Sequence, residues 1–210
     1  MKRLLHYSLF WLGCLALCAC SSLPFLSSAP KPPPAEPDTY RNHLHHLQTI
    51  QSFAVNGRIG VITEKKGFSG SMRWYHNSEG DEISLFSPLG SQLGQLSASA
   101  DGVTLTTSDH KTYTAHDAET LTQDNLGWSL PLSGLSDWVL GRPTTTSNAQ
   151  VVAWDDAGHI TRMQQDGWDI EYPSYRESDG FQLPGKVLLK SQKLDIKLII
   201  EEWVGLQAGQ

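Results

Sequence analysis

Three short patterns in the chain contain residue types that support catalysis or metal binding elsewhere, and each pattern is incomplete. The segment Gly67–Ser71 approaches the nucleophile turn of a hydrolase, but a serine stands at its last glycine position. The segment Gly180–Lys186 imitates a phosphate-binding loop, but Val187 stands where the metal-binding serine or threonine belongs. His43 and His46 can share a helix face as metal ligands, but without a cysteine or a suitably spaced carboxylate a solvated polar face is favoured. We therefore predict no catalytic residue, no metal site and no cofactor.

Cys20 is the residue for which the sequence predicts a definite chemical modification. Lys2 and Arg3 precede an apolar stretch from Leu4 to Leu17, and small residues then lead to the cysteine, which is the order of a bacterial secretion signal. Leu17–Cys20 resembles the lipobox, whose final cysteine is acylated and becomes the first residue of the mature protein. We expect residues 1–19 to be a lipoprotein signal peptide and Cys20 to carry the lipid. The alternative is an ordinary cleaved signal followed by a chance cysteine.

The predicted mature chain is acidic and has no disulfide. Cleavage removes two of the 16 basic residues and none of the 22 acidic ones, which takes the formal net charge from −6 to 14 − 22 = −8. This charge argues against binding to nucleic acid or to an anionic surface through bulk electrostatics. Cys14 and Cys18 leave with the signal, so Cys20 has no partner and stability must come from a hydrophobic core.

A proline-rich segment separates the predicted lipid from the folded part of the chain. Proline, serine and alanine dominate from Ser21 to Asp38, a composition that buries too little apolar surface to fold. With a rise of about 3.1 Å per residue, such a segment extends roughly 50 Å. We therefore expect residues 20–38 to be a lipidated tether, residues 39–205 a folded domain and residues 206–210 a C-terminal tail.

The domain is predicted to begin with one helix and to continue as strands. Tyr40, Leu44, Leu47 and Ile50 recur at three- and four-residue spacing, which predicts an amphipathic helix from Pro37 to Ser52. Short alternating runs separated by turn residues then predict an antiparallel meander. Its six strands are expected at 53–63, 67–76, 81–86, 92–99, 102–107 and 111–115.

Two short helices are predicted to interrupt the meander before five more strands follow. Segments 117–125 and 130–141 have apolar residues at helical spacing, and the second ends at Gly141 and Pro143. Alternation returns at 151–154, 159–165, 168–172, 186–190 and 194–203. Eleven strands are many for a flat open sheet, so we predict a strongly curled sheet or barrel with the helices lying across it. Periodicity leaves open whether the interior is a filled core or a cavity.

Several short motifs follow one another between about Tyr40 and Trp203. The first stretch is Ser87–Ser91, followed by Leu93 and Leu96. The further stretches are Leu130-Pro131-Leu132 with Leu135, Trp138, Leu140, Gly141 and Pro143; Tyr113-Thr114-Ala115 with Asp117-Ala118-Glu119; Asp156-Ala157-Gly158 before Ile160; and Trp203. Their ordered combination resembles the LolB family of outer-membrane lipoprotein receptors.

The resemblance implies a mainly β fold with a helical lid: an unclosed, strongly curled antiparallel β-barrel of about eleven strands that encloses an apolar cavity. It implies a receptor, not an enzyme, that accepts the acyl chains of lipoproteins from a soluble periplasmic carrier, LolA, and inserts the lipoproteins into the outer membrane. The expected partners are this carrier, acylated lipoproteins and outer-membrane lipid, and the receptor itself is expected to be a monomer. Ser21 after the lipidated cysteine lacks the aspartate that retains many enterobacterial lipoproteins at the inner membrane, which favours a periplasm-facing anchor in the outer membrane.

If the sheet encloses a cavity, we expect apolar residues of the strands and lid to line it, although any one of them can equally be packed core. The expected cavity residues are Ile59, Met72, Trp74, Leu85, Leu105, Leu132, Leu135, Trp138, Ile170, Leu188 and Leu198.

The segment Pro88-Leu89-Gly90 is predicted to be a membrane-insertion loop. Proline and glycine favour a tight turn that pushes the leucine between them outward. The resemblance implies an exposed leucine here that engages the membrane when cargo is released. The alternative is that Leu89 folds back over its own hairpin.

Two other classes of function remain open at the level of sequence. One is a lipid-anchored binding or scaffold module whose curled sheet is packed solid and which uses its edges or loops to bind a protein. The other is an envelope hydrolase, which the missing nucleophile and base motifs disfavour.

Overall fold

A computed structural model describes residues 36–209 of the chain. The predicted signal peptide, Cys20 and most of the tether lie outside the described residues. The elements are α1 (Asp38–Leu47), β1 (Ile50–Thr63), β2 (Gly67–Asn77), β3 (Gly80–Phe86), β4 (Gln92–Ser99), β5 (Gly102–Thr107), β6 (Thr112–Ala115), α2 (Ala118–Leu126), α3 (Leu132–Trp138), β7 (Gln150–Trp154), β8 (Ile160–Gln165), β9 (Trp168–Ser178), β10 (Phe181–Lys190) and β11 (Leu194–Ala208).

All eleven strands belong to one antiparallel sheet that does not close. Their spatial order is β6-β5-β4-β3-β2-β1-β11-β10-β9-β8-β7. Two meanders, one before and one after the helices, therefore meet where β1 pairs with β11, along a register that runs from Ile50 opposite Ala208 to Thr63 opposite Leu194. Strands β6 and β7 form the two edges. The predicted mainly β, unclosed fold is confirmed.

Alternation along the strands separates a buried face from an exposed one. In β1, for example, Ile59 and Val61 are buried and the intervening Gly60 lies on the opposite face. Cross-strand partners share a face, as Met72 does with Leu85 and Leu96 with Leu105. The core therefore occupies the concave side of the sheet, as the period-two pattern predicts.

The segment that imitates a phosphate-binding loop begins in a tight hairpin turn, one of two such turns of the same type. Asp166-Gly167 and Asp179-Gly180 are connections with positive φ at both residues, the geometry that asparagine or aspartate followed by glycine adopts in tight hairpins. Gly180 therefore turns the chain from β9 into β10, and the residues after it form a strand instead of a helix N-terminus. Segment 180–186 is therefore a hairpin turn and the start of a strand.

Helix α2 has well-defined ends, and a side chain joins it to the segment that leads into α3. The side chain of Asp117 accepts a hydrogen bond from the Thr120 N–H at 2.7 Å, and Gly127 ends the helix with φ of 79°. The buried Thr122 hydroxyl donates to the Ala118 carbonyl at 2.7 Å and accepts from the Leu130 N–H at 2.9 Å. The cap and this side-chain bridge fix how the chain leaves α2.

Helix α1 packs on the turn between β7 and β8 and on neighbouring strands. The ring of Tyr40 lies 5.4 Å from that of Trp154, and the ring of His43 lies 4.6 Å from that of His159. Burial lowers the pKa of His43 to about 4, and His159 and His46 add to this effect. His43 is thus a neutral packing residue at neutral pH, which corrects the expectation of a wholly solvated histidine face.

Several boundaries differ from the sequence predictions because tertiary pairing overrides local periodicity. Helix α1 ends at Leu47, since Ile50 already pairs with Ala208 in the sheet. The second lid helix is shorter than segment 130–141 and spans Leu132–Trp138. Strand β9 extends to Ser178, β10 begins at Phe181, and β11 extends to Ala208, so most of the expected 206–210 tail is strand.

We expect substitution of Gly158 to measure how firmly α1 rests on the β7–β8 turn. Gly158 has φ of 87°, and an added Cβ would lie 2.4 Å from the Tyr40 nitrogen. Gly167 has a similar φ of 79°, but a Cβ there would meet no described atom within 4 Å. Gly158→Ala should lower the free energy of unfolding by about 3 kcal/mol and Gly167→Ala by about 1 kcal/mol, measured by urea denaturation. Equal losses would show that α1 does not depend on this contact.

Candidate functional site

The strand directions bring five turns to one end of the sheet. Because neighbouring strands are antiparallel, alternate strands run in opposite directions. At this end β1, β3, β5, β8 and β10 finish, and β2, β4, β6, β7, β9 and β11 begin. We call this end the mouth. It is formed by the turns at 64–66, 87–91, 108–111, 166–167 and 191–193.

An apolar cavity of about 360 Å³ opens near the mouth, between the first meander and α2. Its polar lining residues are Thr63, Lys66 and Asn125, and Lys66 carries the one charged side chain in the lining among the described residues. The rest of the lining is apolar, and two glycines contribute backbone. Its large apolar side chains are Val61, Phe68, Leu85, Leu93, Leu105, Leu126 and Trp128.

The C-terminal end of α2 covers this cavity. The Lys66 ammonium group, from the turn between β1 and β2, donates a hydrogen bond to the Leu126 carbonyl at 2.9 Å. A cation at this position satisfies a free carbonyl and lies favourably at the negative end of the helix dipole. The Trp128 ring stacks on that of Phe68 with centroids 6.2 Å apart. One polar and one aromatic contact thus hold the lid to the strands beneath it.

A buried hydrogen-bond network fixes the other lid helix, α3. The Trp138 indole donates to the Gln165 side-chain oxygen at 2.8 Å, which also accepts from the Thr144 N–H at 3.0 Å. The Tyr172 hydroxyl donates to the Trp138 carbonyl at 2.9 Å, and burial raises the pKa of this phenol. The interior beneath α3 is therefore packed, since Trp138, Met163 and Ile170 are almost completely buried.

The Leu89 side chain projects into solvent from the turn between β3 and β4. It is 95% exposed, more than any other large apolar side chain of the described residues. The Ser87 N–H donates to the Ser91 carbonyl at 2.8 Å and the Gly90 N–H to the Ser87 carbonyl at 2.9 Å, which closes the turn. Gly90 has φ of 85°, and Pro88 and Gly90 are exposed as well. Leu89 does not fold back over its hairpin, and it lies at the same end of the sheet as the cavity.

The structure places most of the eleven expected cavity residues in packed core. Ten of them are buried, and of these only Leu85 and Leu105 line the apolar cavity. Leu188 is a correction, because it is partly exposed and lies on the outer face of β10 between the buried Val187 and Leu189. The prediction placed Leu188 on the inner face of β10, whereas Val187 and Leu189 occupy that face.

Sequence reasoning missed five large residues that line the cavity: Val61, Phe68, Leu93, Leu126 and Trp128. Val61, Phe68 and Leu93 lie near strand ends beside turns of the mouth, and Leu126 and Trp128 lie at the C-terminal end of α2. A usable signal was their position beside predicted turns, where an apolar residue has fewer packing partners than at mid-strand.

A second, larger depression adjoins the cavity at the mouth. We call it the mouth groove; it has a volume of about 1390 Å³ and is bounded by the turns at 64–66, 166–167 and 191–193, by α2 and by the segment 127–129. It shares Thr63, Lys66 and Trp128 with the cavity lining. Its charged residues are Glu64, Lys65, Lys66, Glu119, Asp124, Asp166 and Lys193.

Two further findings apply to the described residues 36–209. No group of three or more histidine, cysteine, aspartate or glutamate side chains there is arranged to hold a metal ion. None of the helices in that range has both the length and the apolar character needed to cross a membrane.

Fold and site together define an open, curled half-barrel with a helical lid and an apolar cavity at its mouth. Two solved structures share this fold at low sequence identity. A DUF1329 family protein from Desulfovibrio piger matches with a TM-score of 0.54 and 8% identity, covering 81% of this chain and 92% of that one. A LolA superfamily protein from Nitrosomonas europaea matches with a TM-score of 0.51 and 9% identity, covering 81% and 94%.

The sequence comparisons identify the family. A family model described as Outer membrane lipoprotein LolB matches residues 51–203. The Outer-membrane lipoprotein LolB of Pseudomonas savastanoi pv. phaseolicola is 35% identical over 175 residues, which cover 83% of this chain and 85% of the relative. The chain belongs to the LolB family, and the resemblance drawn from its motifs is confirmed.

We expect Gly94→Leu to fill the apolar cavity. Gly94 lines the cavity, and an added Cβ would lie 3.4 Å from Leu105 Cδ1 and 3.3 Å from the Thr106 carbonyl oxygen. The larger side chain should lower affinity for an apolar dye such as N-phenyl-1-naphthylamine by roughly tenfold, measured by fluorescence titration. Gly60→Leu is the matched control, since a Cβ at Gly60 meets no described atom within 4 Å and the residue is not among those lining the cavity. Equal dye binding by both variants would place the dye elsewhere.

Proposed function

We propose that this protein is a lipid-anchored receptor of the outer membrane that accepts the acyl chains of lipoproteins from a soluble, LolA-like periplasmic carrier and inserts the lipoproteins into that membrane. The observation that carries the proposal is the juxtaposition of an apolar cavity and the exposed Leu89 at one end of an unclosed sheet. Membership of a family of outer-membrane lipoproteins supports the location.

The cavity supplies the physical requirement for acyl transfer. Exposing an acyl chain to water costs roughly 0.8 kcal/mol for each methylene group. An apolar cavity that opens at the mouth allows a chain to pass from carrier to receptor without that cost. Transfer then follows decreasing free energy from carrier to receptor to bilayer, without nucleotide, cofactor or a catalytic residue. The cavity also argues against the alternative of a solid-packed scaffold module.

Residues 1–38, most of which lie outside the described range, complete this proposal. Cys20 carries the acyl anchor after residues 1–19 are removed, and residues 20–38 connect it to the domain that faces the periplasm as a monomer. Two or three acyl chains hold such a protein at a membrane essentially permanently. The anchor therefore sets location, and acceptance of cargo belongs to the domain.

We assign membrane contact during release to Pro88-Leu89-Gly90. A fully exposed leucine gains no folding energy from its side chain, but inserting it into the membrane interface contributes on the order of 1–2 kcal/mol. This amount orients a domain that is already tethered, although it is too small to anchor one. The mouth would then face the bilayer as the cargo leaves.

Leu89→Glu should separate acceptance from release. Because the side chain is 95% exposed, the variant should keep its thermal stability and accept a lipoprotein from purified carrier normally. Deposition into liposomes should slow by about tenfold, as expected for the loss of the leucine insertion energy. Both half-reactions are to be timed separately.

Val204→Glu is the matched control for this experiment. Val204 is also an exposed apolar residue, but it lies near the end of β11 that is remote from the mouth. Undiminished deposition by Leu89→Glu, or an equal loss with Val204→Glu, would refute the membrane role of the loop.

Replacing Cys20 should leave acceptance intact. A Cys20→Ala chain exported to the periplasm through a non-lipoprotein signal should fold to the same circular dichroism spectrum. It should take lipoprotein from the carrier within about twofold of the anchored protein, because the described cavity lining lies between Val61 and Trp128, within the domain. A folded soluble domain that fails to strip the carrier would contradict the assignment of acceptance to the domain.

A further inference from the structure

We propose that the mouth groove is a second cargo subsite, which holds the glyceryl-cysteine head and the first residues of the lipoprotein polypeptide while an acyl chain occupies the apolar cavity. The inference rests on the proposed receptor function. It assigns a place to the polar part of the cargo, which the cavity itself does not accommodate.

The groove and the cavity share a wall. Thr63, Lys66 and Trp128 line both spaces. The head of a lipoprotein is covalently joined to its acyl chains. If an acyl chain enters the cavity past this wall, the head to which it is joined lies in the groove.

The sizes of the two spaces divide the cargo between them. The cavity, at about 360 Å³, is the smaller and more apolar of the two spaces, and we assign an acyl chain to it. The groove, at about 1390 Å³, is nearly four times larger and remains for whatever is attached to that chain.

The chemistry of the groove fits a peptide better than a second apolar chain. Seven charged side chains line it, whereas only Lys66 is charged in the cavity lining. An acyl chain laid along these groups would remove their water and return no hydrogen bonds, which is costly. A peptide backbone supplies one donor and one acceptor for each residue.

The balance of charges also selects a neutral, polar occupant. Four carboxylates and three ammonium groups surround the groove. Glu119 is already engaged, since its carboxylate accepts hydrogen bonds from the Ser133 N–H and hydroxyl groups, and Lys66 donates to the Leu126 carbonyl. The formal charge of the groove lining is 3 − 4 = −1, a near balance that suits ester and amide dipoles better than a strongly anionic phosphate head group.

Gln123 offers a way to block the groove without altering the cavity. It is exposed on α2, lines the groove and does not line the cavity. Gln123→Trp should lower affinity for a synthetic glyceryl-cysteinyl hexapeptide that carries a single acyl chain by roughly tenfold, while changing affinity for a fluorescent hexadecanoic acid by less than about twofold. Gln95→Trp, on the exposed face of β4, is the control and should change neither.

A second variant keeps the test independent of any effect on α2. Gln192 is exposed in the turn between β10 and β11, on the other side of the groove. Gln192→Trp should therefore produce the same selective loss of lipopeptide affinity. Circular dichroism and thermal denaturation check that each variant folds.

The outcomes distinguish this inference from the proposed function. Unchanged lipopeptide affinity in both folded groove variants would overturn the subsite. An equal loss for lipopeptide and fatty acid would also overturn it, because the groove would then hold an acyl chain. Failure of the unmodified protein to bind either probe would instead overturn the receptor proposal, and the subsite with it.

Discussion

The pairing of β1 with β11 is the interaction on which the rest of the structure depends. The two meanders are joined within the sheet only along this ladder, because the opposite edges, β6 and β7, do not pair with each other. The strands approach so closely that a Cβ on Gly57 would lie 2.3 Å from the Ile199 carbonyl oxygen. This close approach leaves no room for a side chain, which explains why a glycine stands at position 57 in the β1–β11 ladder. With this ladder in place, the helices have a concave surface to cover.

An unclosed sheet leaves its interior to be covered by helices, and the two lid helices do so differently. Buried hydrogen bonds hold α3 to the second meander through Trp138, Gln165 and Tyr172, and the core beneath it is full. Over the first meander, α2 is held through Lys66 and through the link from Glu119 to Ser133. The cavity lies beneath the C-terminal end of α2. Stability and ligand space thus occupy different halves of one apolar interior.

Sequence reasoning was most successful where a pattern is local. The first six strands were placed within a few residues because glycine, asparagine and aspartate mark each turn, and Asp117 and Gly127 fix the ends of α2. Exposure of Leu89 was predicted from Pro88 and Gly90 together with the family resemblance, since the turn residues alone left open a leucine folded over its hairpin. Whether a buried residue lines a cavity or packs in the core depends on residues distant in sequence, so Ile59 and Leu105 look alike in the sequence although only Leu105 lines the cavity. The same limit applies to β11, whose last residues are strand because β1 pairs with them, not because they alternate.

The ladder between the first and last strands also sets an order of events for folding. Residues paired in it lie about 130 or more positions apart along the chain, as with Thr63 and Leu194. Contacts of such high sequence separation form slowly, because a long loop must close before they contribute. Strand β11 follows the other ten strands along the chain, so until its 15 residues are made β1 has a partner on one side only. The chain is consequently slow to commit to its native sheet, and this delay is a kinetic property of the strand order itself.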